Sequence, residues 1–172
     1  MPSEGNARYA CCAEAEFAGI PLHVVASGTG IRRIEFGRHQ GSCIPDAANP
    51  VVAAALEQLA EYFSGARTRF ELQLEPEGTE FQKRVWKALE RIPYGETRSY
   101  AEIAREAGSP KGFRAAGAAN GQNPIAVVVP CHRVIGSNGS LTGFGGGLRV
   151  KKILLELEAS VHAQRGRAAT TR

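Results

Sequence analysis

Two capping patterns, at residues 79–82 and 99–102, constrain the second half of this chain more than any other feature. Thr79-Glu80-Phe81-Gln82 and Ser99-Tyr100-Ala101-Glu102 each place a hydroxyl three residues before a Gln or Glu. At that spacing the two ends of a first helical turn satisfy each other's hydrogen bonds. The first pattern predicts a helix to about Arg91 that buries Phe81, Val85, Trp86 and Leu89 and stops at Ile92-Pro93-Tyr94-Gly95. The second predicts a short helix closed by Gly108, and Ser109-Pro110 opens the next, which carries Phe113 to Asn120. Two short helices joined by a tight Gly-containing turn describe a helix-turn-helix. Ala115, Ala116, Gly117, Ala118 and Ala119 in the second helix cannot reach base edges, but they let backbone approach a narrow groove. Two packed helices with an Ala-rich contact fit the same pattern.

The first half follows a different period. Residues 1–45 read as short strands, with His23–Ala26 and Ile31–Phe36 separated by the turn Ser27-Gly28-Thr29-Gly30. Asn49 and Pro50 open a helix over 50–64, with Val52, Leu56, Leu59 and Phe63 at helical spacing and Gly65 at its end. Phe70, Leu72 and Leu74 alternate as in a half-buried strand, and Glu75-Pro76-Glu77-Gly78 reads as a linker. The expected fold is therefore an α/β N-terminal domain over 1–76, a small antiparallel sheet plus a helix. A mostly helical C-terminal domain with a helix-turn-helix follows over 77–160. Leu148 to Glu158 forms its last helix, and 161–172 is expected to be a disordered basic tail.

Charge separates along the same line. Residues 1–78 hold 6 Lys/Arg against 10 Asp/Glu, whereas residues 79–172 hold 15 against 7. A basic C-terminal part suits a polyanionic partner, although Arg165, Arg167 and Arg172 supply part of the excess. No apolar stretch approaches the roughly 20 residues that span a bilayer. Met1-Pro2-Ser3-Glu4-Gly5 lacks a secretory pattern, so the expected compartment is cytoplasmic and reducing.

The reactive chemistry centres on Pro130-Cys131-His132-Arg133, after the apolar run Ile125–Val129. That run reads as a buried strand ended by Pro130. A thiol leaving an element end beside an imidazole is a place to make a thiolate, the nucleophilic form of cysteine. The competing reading is a small buried hydrophobe. Adjacent side chains in an extended segment point to opposite faces, so contact between Cys131 and His132 requires a tight turn or a bridging water. Glu156 and Glu158 are both candidates to orient the imidazole. The glycine-rich stretches Gly136–Gly139 and Gly143–Gly147 form a pocket wall or a plain loop. Cys11, Cys12 and Cys43 complete the cysteines, and a reducing compartment argues against a disulfide framework. A zinc site from Cys11, Cys12 and Cys43 with His23 or His39 fits poorly, since adjacent cysteines do not match Cys-x2–4-Cys spacing.

Over most of residues 79–158 the chain resembles the O6-alkylguanine-DNA alkyltransferases. The resemblance is carried by Phe81-Gln82 with Val85-Trp86, by Ile92 to Tyr100, by Arg114-Ala115-Ala116-Gly117 and by Gly121-Gln122-Asn123-Pro124. It continues through Pro-Cys-His-Arg-Val ending at Val134, Gly143 to Gly147, and Leu154 to Glu158. It implies that the helix-turn-helix enters the minor groove of double-stranded DNA and that an O6-alkylguanine flips into the pocket. Cys131 would then take the alkyl group irreversibly, once per molecule. It further implies Arg114 as the finger filling the vacated stack, with Ala115, Gly117 and Ala118 on the DNA-facing helix. Tyr100 would assist flipping and donate a proton to the base. His132, held by Glu158, would accept the thiol proton through a water. Asn123 would act as a hinge, and Val134, Phe144 and Gly145 would line the substrate pocket. No metal or organic cofactor is required, and a monomer is the simplest state. Phe144 and Gly145 stand where some members have Tyr and Ser, Ala116 stands where Val is common, and the family's N-terminal zinc ligands are not reproduced. A cysteine hydrolase and a DNA-binding module with an inert cysteine are the rival readings.

Overall fold

Strands β1 (Cys11–Phe17), β2 (Ile20–Ala26) and β3 (Ile31–Phe36) run antiparallel in sequence order, and β4 (Ile44–Pro45) adds to the far side of β1. The computed structural model describes residues 10–37 and 41–170; residues 1–9, His39 and Arg172, invoked above, lie outside them. Leu22, Val24 and Ala26 point to one face of β2 and are buried there. Helix α1 (Pro50–Phe63) covers that face with Val52, Ala55, Leu59 and Tyr62. Asn49 caps it, its Oδ1 accepting from the N–H groups of Val51 and Val52 at 3.0 and 3.3 Å.

Three expectations for this half are corrected. The sheet is mixed rather than antiparallel, because β4 lies parallel to β1. The order β3-β2-β1-β4 places β3 and β4 at opposite edges, so the chain between them passes from one edge to the other. Cys12 and Cys43 form a disulfide, against the expectation of none: the β1–β4 pairing brings Cys43 beside Cys12. Residues 70–74 form no strand beyond a single bridge from Leu74 to Ile31. The free edge of β3 is shared, since Ile34 bridges Ile125 a short way along, and neither segment has room for a ladder. The stretch read as a linker is docked as well, with Glu75 accepting from Ser27 Oγ at 2.7 Å and Thr29 Oγ1 at 2.6 Å.

The second half is mostly helical: α2 (Glu80–Glu90), α3 (Tyr100–Glu106), α4 (Phe113–Gly121) and α5 (Leu148–Thr170), with β5 (Arg98–Ser99) parallel to β6 (Val134–Ile135). Both capping boxes form as the spacing requires. Trp86 Nε1 donates to Ala119 O at 2.9 Å and locks α2 against α4. Helix α4 begins at Phe113 rather than at Ser109-Pro110, because Gly112 N first closes a turn on Ser109 O. The residues expected as a disordered tail continue α5 to Thr170. Val161 is buried there, a Cβ on Gly65 would lie 2.9 Å from its side chain, and Arg165 Nη2 donates to Ala66 O at 2.9 Å. Among the described residues no helix is long and apolar enough to cross a membrane.

Backbone bonds join the two halves at the reactive loop. Ile34 N donates to Pro124 O and Ala126 N to Ile34 O, both at 2.9 Å. The edge of the N-terminal sheet therefore holds the segment that leads to Cys131.

Candidate active site

The run Ile125–Val129 is not a strand, contrary to what its continuous apolar composition predicts. Val128 N bonds to Ala126 O and Val129 N to Ile125 O, so the segment coils, and Val127 takes φ 70. A β-branched residue in that region is an outlier that the surroundings must hold in place. Asn123 does so from both ends, accepting from Ile125 N at 3.0 Å and donating Nδ2 to Val129 O at 2.8 Å. Residues Cys131–Arg133 then form one 3-10 turn. Sulfur and imidazole thus share a tight turn instead of alternating across an extended segment, and both are buried.

Glu158 of α5, not the exposed Glu156, is the carboxylate beneath this turn. Its Oε1 lies 2.7 Å from His132 Nε2 and accepts from Tyr62 Oη at 2.6 Å and Arg133 Nη2 at 3.0 Å. Its Oε2 accepts from Arg133 Nε at 2.8 Å and from Gly95 N at 3.1 Å. A carboxylate only accepts, so Nε2 is the protonated ring nitrogen and Nδ1 carries the lone pair. Nδ1 is buried and has no hydrogen-bond partner among the described residues.

Charge and burial set the protonation states. Burial raises the Cys131 thiol pKa, opposed by the Asn123 amide and the Lys151 ammonium. Burial lowers the His132 pKa against the pull of Glu158, so the imidazole rests neutral. Burial alone would raise Glu158, but its bonds to His132 and Arg133 and their charges hold it at about 2. The resting site holds a neutral thiol and a neutral imidazole on one turn, and burial favours both neutral forms over the thiolate–imidazolium pair.

Cys131 opens on a cavity of about 730 Å³ lined by Asn120, Asn123, Phe144 and Gly145 and, from β3, by Arg33 and Phe36. Phe144 meets Phe36 with ring centroids 5.2 Å apart, so the glycine-rich stretch is a packed wall. Val134 is buried, and its carbonyl accepts from Lys151 Nζ at 2.6 Å. Tyr100 opens α3, its hydroxyl accepting from Thr142 Oγ1 at 3.0 Å. Its ring lies 3.5 Å from where a Cβ on Gly117 would sit, so the small residue sets how closely α4 approaches. Arg114, Ala115 and Ala118 are exposed on α4, whereas Ala116 and Ala119 are buried. Of the residues singled out in the sequence, Asn123, Cys131, Phe144 and Gly145 line the cavity and Arg114, Ala115 and Ala118 are exposed on α4, whereas Tyr100, Gly117, His132, Val134 and Glu158 are in neither group. Sequence reasoning missed Tyr62, Arg133 as a bidentate partner of Glu158, and Lys151. The adjacency of Arg133 to His132 was a usable signal; Tyr62 and Lys151 carried none.

The residues 80–160 match the family described as "6-O-methylguanine DNA methyltransferase, DNA binding domain", and 20–76 match its "ribonuclease-like domain". A methylated-DNA–protein-cysteine methyltransferase of Methanosarcina acetivorans is 60% identical over 144 residues, covering 81% of this chain and 92% of the relative. The chain belongs to this methyltransferase family. The namesake from Mycolicibacterium paratuberculosis is 62% identical over 106 residues, 62% of this chain. That match spans 64% of the relative's own length, less than two thirds. Among solved methyltransferases, the crystal structure of Mycobacterium tuberculosis OGT in complex with DNA superposes with a TM-score of 0.82. It is 46% identical and covers 88% of this chain and 94% of that one.

Proposed function

We propose that this protein repairs DNA directly, moving the alkyl group of an O6-alkylguanine irreversibly to Cys131. The observation that carries the reading is the thiol on a 3-10 turn, opening on the cavity, beside an imidazole whose Nε2 is fixed by Glu158. His132 Nδ1 takes the Cys131 proton through a bridging water, and the thiolate attacks the alkyl carbon. The S–C bond forms as the bond from carbon to O6 breaks. Tyr100 protonates the leaving base, and the proton held on His132 restores the balance. The product thioether leaves the protein spent after one event.

Helices α3 and α4 serve as a helix-turn-helix, with Ala115, Gly117 and Ala118 letting α4 settle into a minor groove and Arg114 filling the space of the flipped base. Asn123 is the hinge, and Val134, Phe144 and Gly145 receive the guanine. Residues 1–76 and 77–160 act as the two domains, and the protein works as a cytoplasmic monomer without a cofactor. The relative crystallised with DNA supports the polyanion partner.

Intact mass after incubation with an oligonucleotide containing O6-methylguanine tests the proposal. One added methylene on Cys131, lost in Cys131→Ala while DNA binding persists, is expected. Turnover of many lesions per chain, or unchanged mass, overturns it.

A further inference from the structure

The mechanism uses none of a second cluster of residues on the N-terminal sheet, Cys12, His23 and Cys43. Cys12 faces Val25 on β2 and Pro45 on β4. Side chains alternate between faces, so His23, two residues from Val25, and Cys43, two residues from Pro45, fall on the same side as Cys12. This is the face opposite Leu22, Val24 and Ala26, away from α1. One donor atom from each of Cys12, His23 and Cys43 lies within 4.8 Å of the others, with His23 Nε2 3.7 Å from Cys43 Sγ. Cys12 and His23 are buried. The other ring nitrogen of His23 lies 3.8 Å from Glu14 Oε1, the residue directly across the ladder.

Two sulfurs and an imidazole are the donor set of zinc, and a histidine ligand is commonly oriented by a carboxylate at its second nitrogen. As a disulfide the two sulfurs cannot serve as thiolate ligands, so bond and ion exclude each other. We propose that reduction of Cys12–Cys43 opens a zinc site made by Cys12, Cys43 and His23. A dithiol reductant supplies two electrons and two protons to the S–S bond and is itself oxidised to a disulfide. Zinc then displaces one proton from each thiol and binds two thiolates and His23 Nε2, with water in the fourth position. Tetrahedral coordination at about 2.3 Å sets the sulfurs about 3.8 Å apart. The Cα separation of 5.9 Å accommodates both states by side-chain rotation.

Either link ties Cys43 to Cys12 of β1. Gly41 and Ser42, next to Cys43, line the cavity on which Cys131 opens. The site thus couples redox state and zinc to one rim of that cavity.

Titration of the full chain with zinc against a chromophoric chelator tests this. The chain reduced with a phosphine should bind one equivalent, and the oxidised chain none at this site. Cys43→Ser and His23→Ala should each weaken binding at least tenfold, with far-ultraviolet circular dichroism confirming the fold; Cys11→Ser and Cys131→Ser should not. Cobalt on the reduced unsubstituted chain should give a thiolate charge-transfer band that vanishes on reoxidation, an arm that requires no variant to fold. A reduced chain that takes up no zinc and shows no band overturns the proposal. So does uptake that survives Cys43→Ser or disappears in Cys131→Ser.

Discussion

Tyr62, in the last turn of α1, donates a 2.6 Å hydrogen bond to Oε1 of Glu158 in α5, and that same oxygen holds His132. Burial, then the Glu158 charge, push the phenol pKa well above its usual value, so the hydroxyl remains a donor at neutral pH. The N-terminal half thereby supplies a donor to the carboxylate that fixes the imidazole.

Tyr62→Phe keeps the ring against Phe70 and Tyr94 and deletes only that donor. Hydrogen bonds to charged groups contribute about 1.5–3 kcal/mol, so urea denaturation should show a loss of that size. The single-turnover transfer rate should fall while DNA affinity holds, because Tyr62 is fully buried and cannot reach DNA. Unchanged stability and rate would leave the bond without a role.

Glu158→Gln should be more severe. Arg133 would keep Ile92 O as an acceptor but lose its counter-charge in a buried setting. Removing one partner of such a pair costs about 3–5 kcal/mol. The imidazole also loses the acceptor that fixes its tautomer, so transfer should slow by about 10²–10⁴. Chemical denaturation and quenched single-turnover assays separate the two losses.

The same cluster predicts acid lability. Glu158 titrates at about 2 in the folded chain, against an ordinary value of about 4.3. The unfolded chain therefore binds the proton first, and stability present above pH 4.3 is lost as pH falls toward 2. The shift corresponds to a contribution on the order of 3 kcal/mol. The His132 pKa is lowered by burial, so protonation of the unfolded histidine erodes stability from about pH 6.5 downward, in the same direction. Urea midpoints between pH 7 and 3 should fall continuously, and Glu158→Gln should flatten the lower part of the curve.

What was legible in the sequence was local. The two capping boxes and the Asn49 cap form because every partner lies within three residues. Hairpin β2–β3 follows from its four-residue turn for the same reason. The failures share the opposite cause. Ile125–Val129 has the composition of a strand, but Asn123 and the edge of β3 coil it. Phe70–Leu74 alternates like a strand but finds the β3 edge already divided. Of the site, Cys131, His132 and Glu158 were legible through motif and resemblance. Tyr62 was not, because its bond to Glu158 joins residues 96 apart in the chain.

Lys151→Met tests a residue that the motifs did not mark. Its buried ammonium donates to Val134 O at 2.6 Å and Thr142 O at 3.0 Å and favours the Cys131 thiolate. Two carbonyls would lose their donor, each at about 1–3 kcal/mol where buried. The thiol pKa should rise further, so the rate of Cys131 alkylation by a haloacetamide should drop at neutral pH and recover at higher pH. A pH profile identical to that of the unsubstituted chain would remove Lys151 from the electrostatics of the thiol.

Arg114→Ala separates flipping from chemistry. Arg114 is exposed on α4, its guanidinium 5.9 Å from the Phe113 ring, and it makes no contact with the Glu158 cluster. Its loss should leave stability within about 0.5 kcal/mol, as for other surface substitutions. Repair of O6-methylguanine in duplex DNA should slow by at least tenfold, because nothing fills the stack once the base leaves. Reaction with the free alkylated base, which has no stack to leave, should be unchanged. Binding to undamaged duplex, in which no base has left the stack, should weaken only modestly. Equal losses on duplex and free base would place Arg114 in the chemistry of the pocket instead.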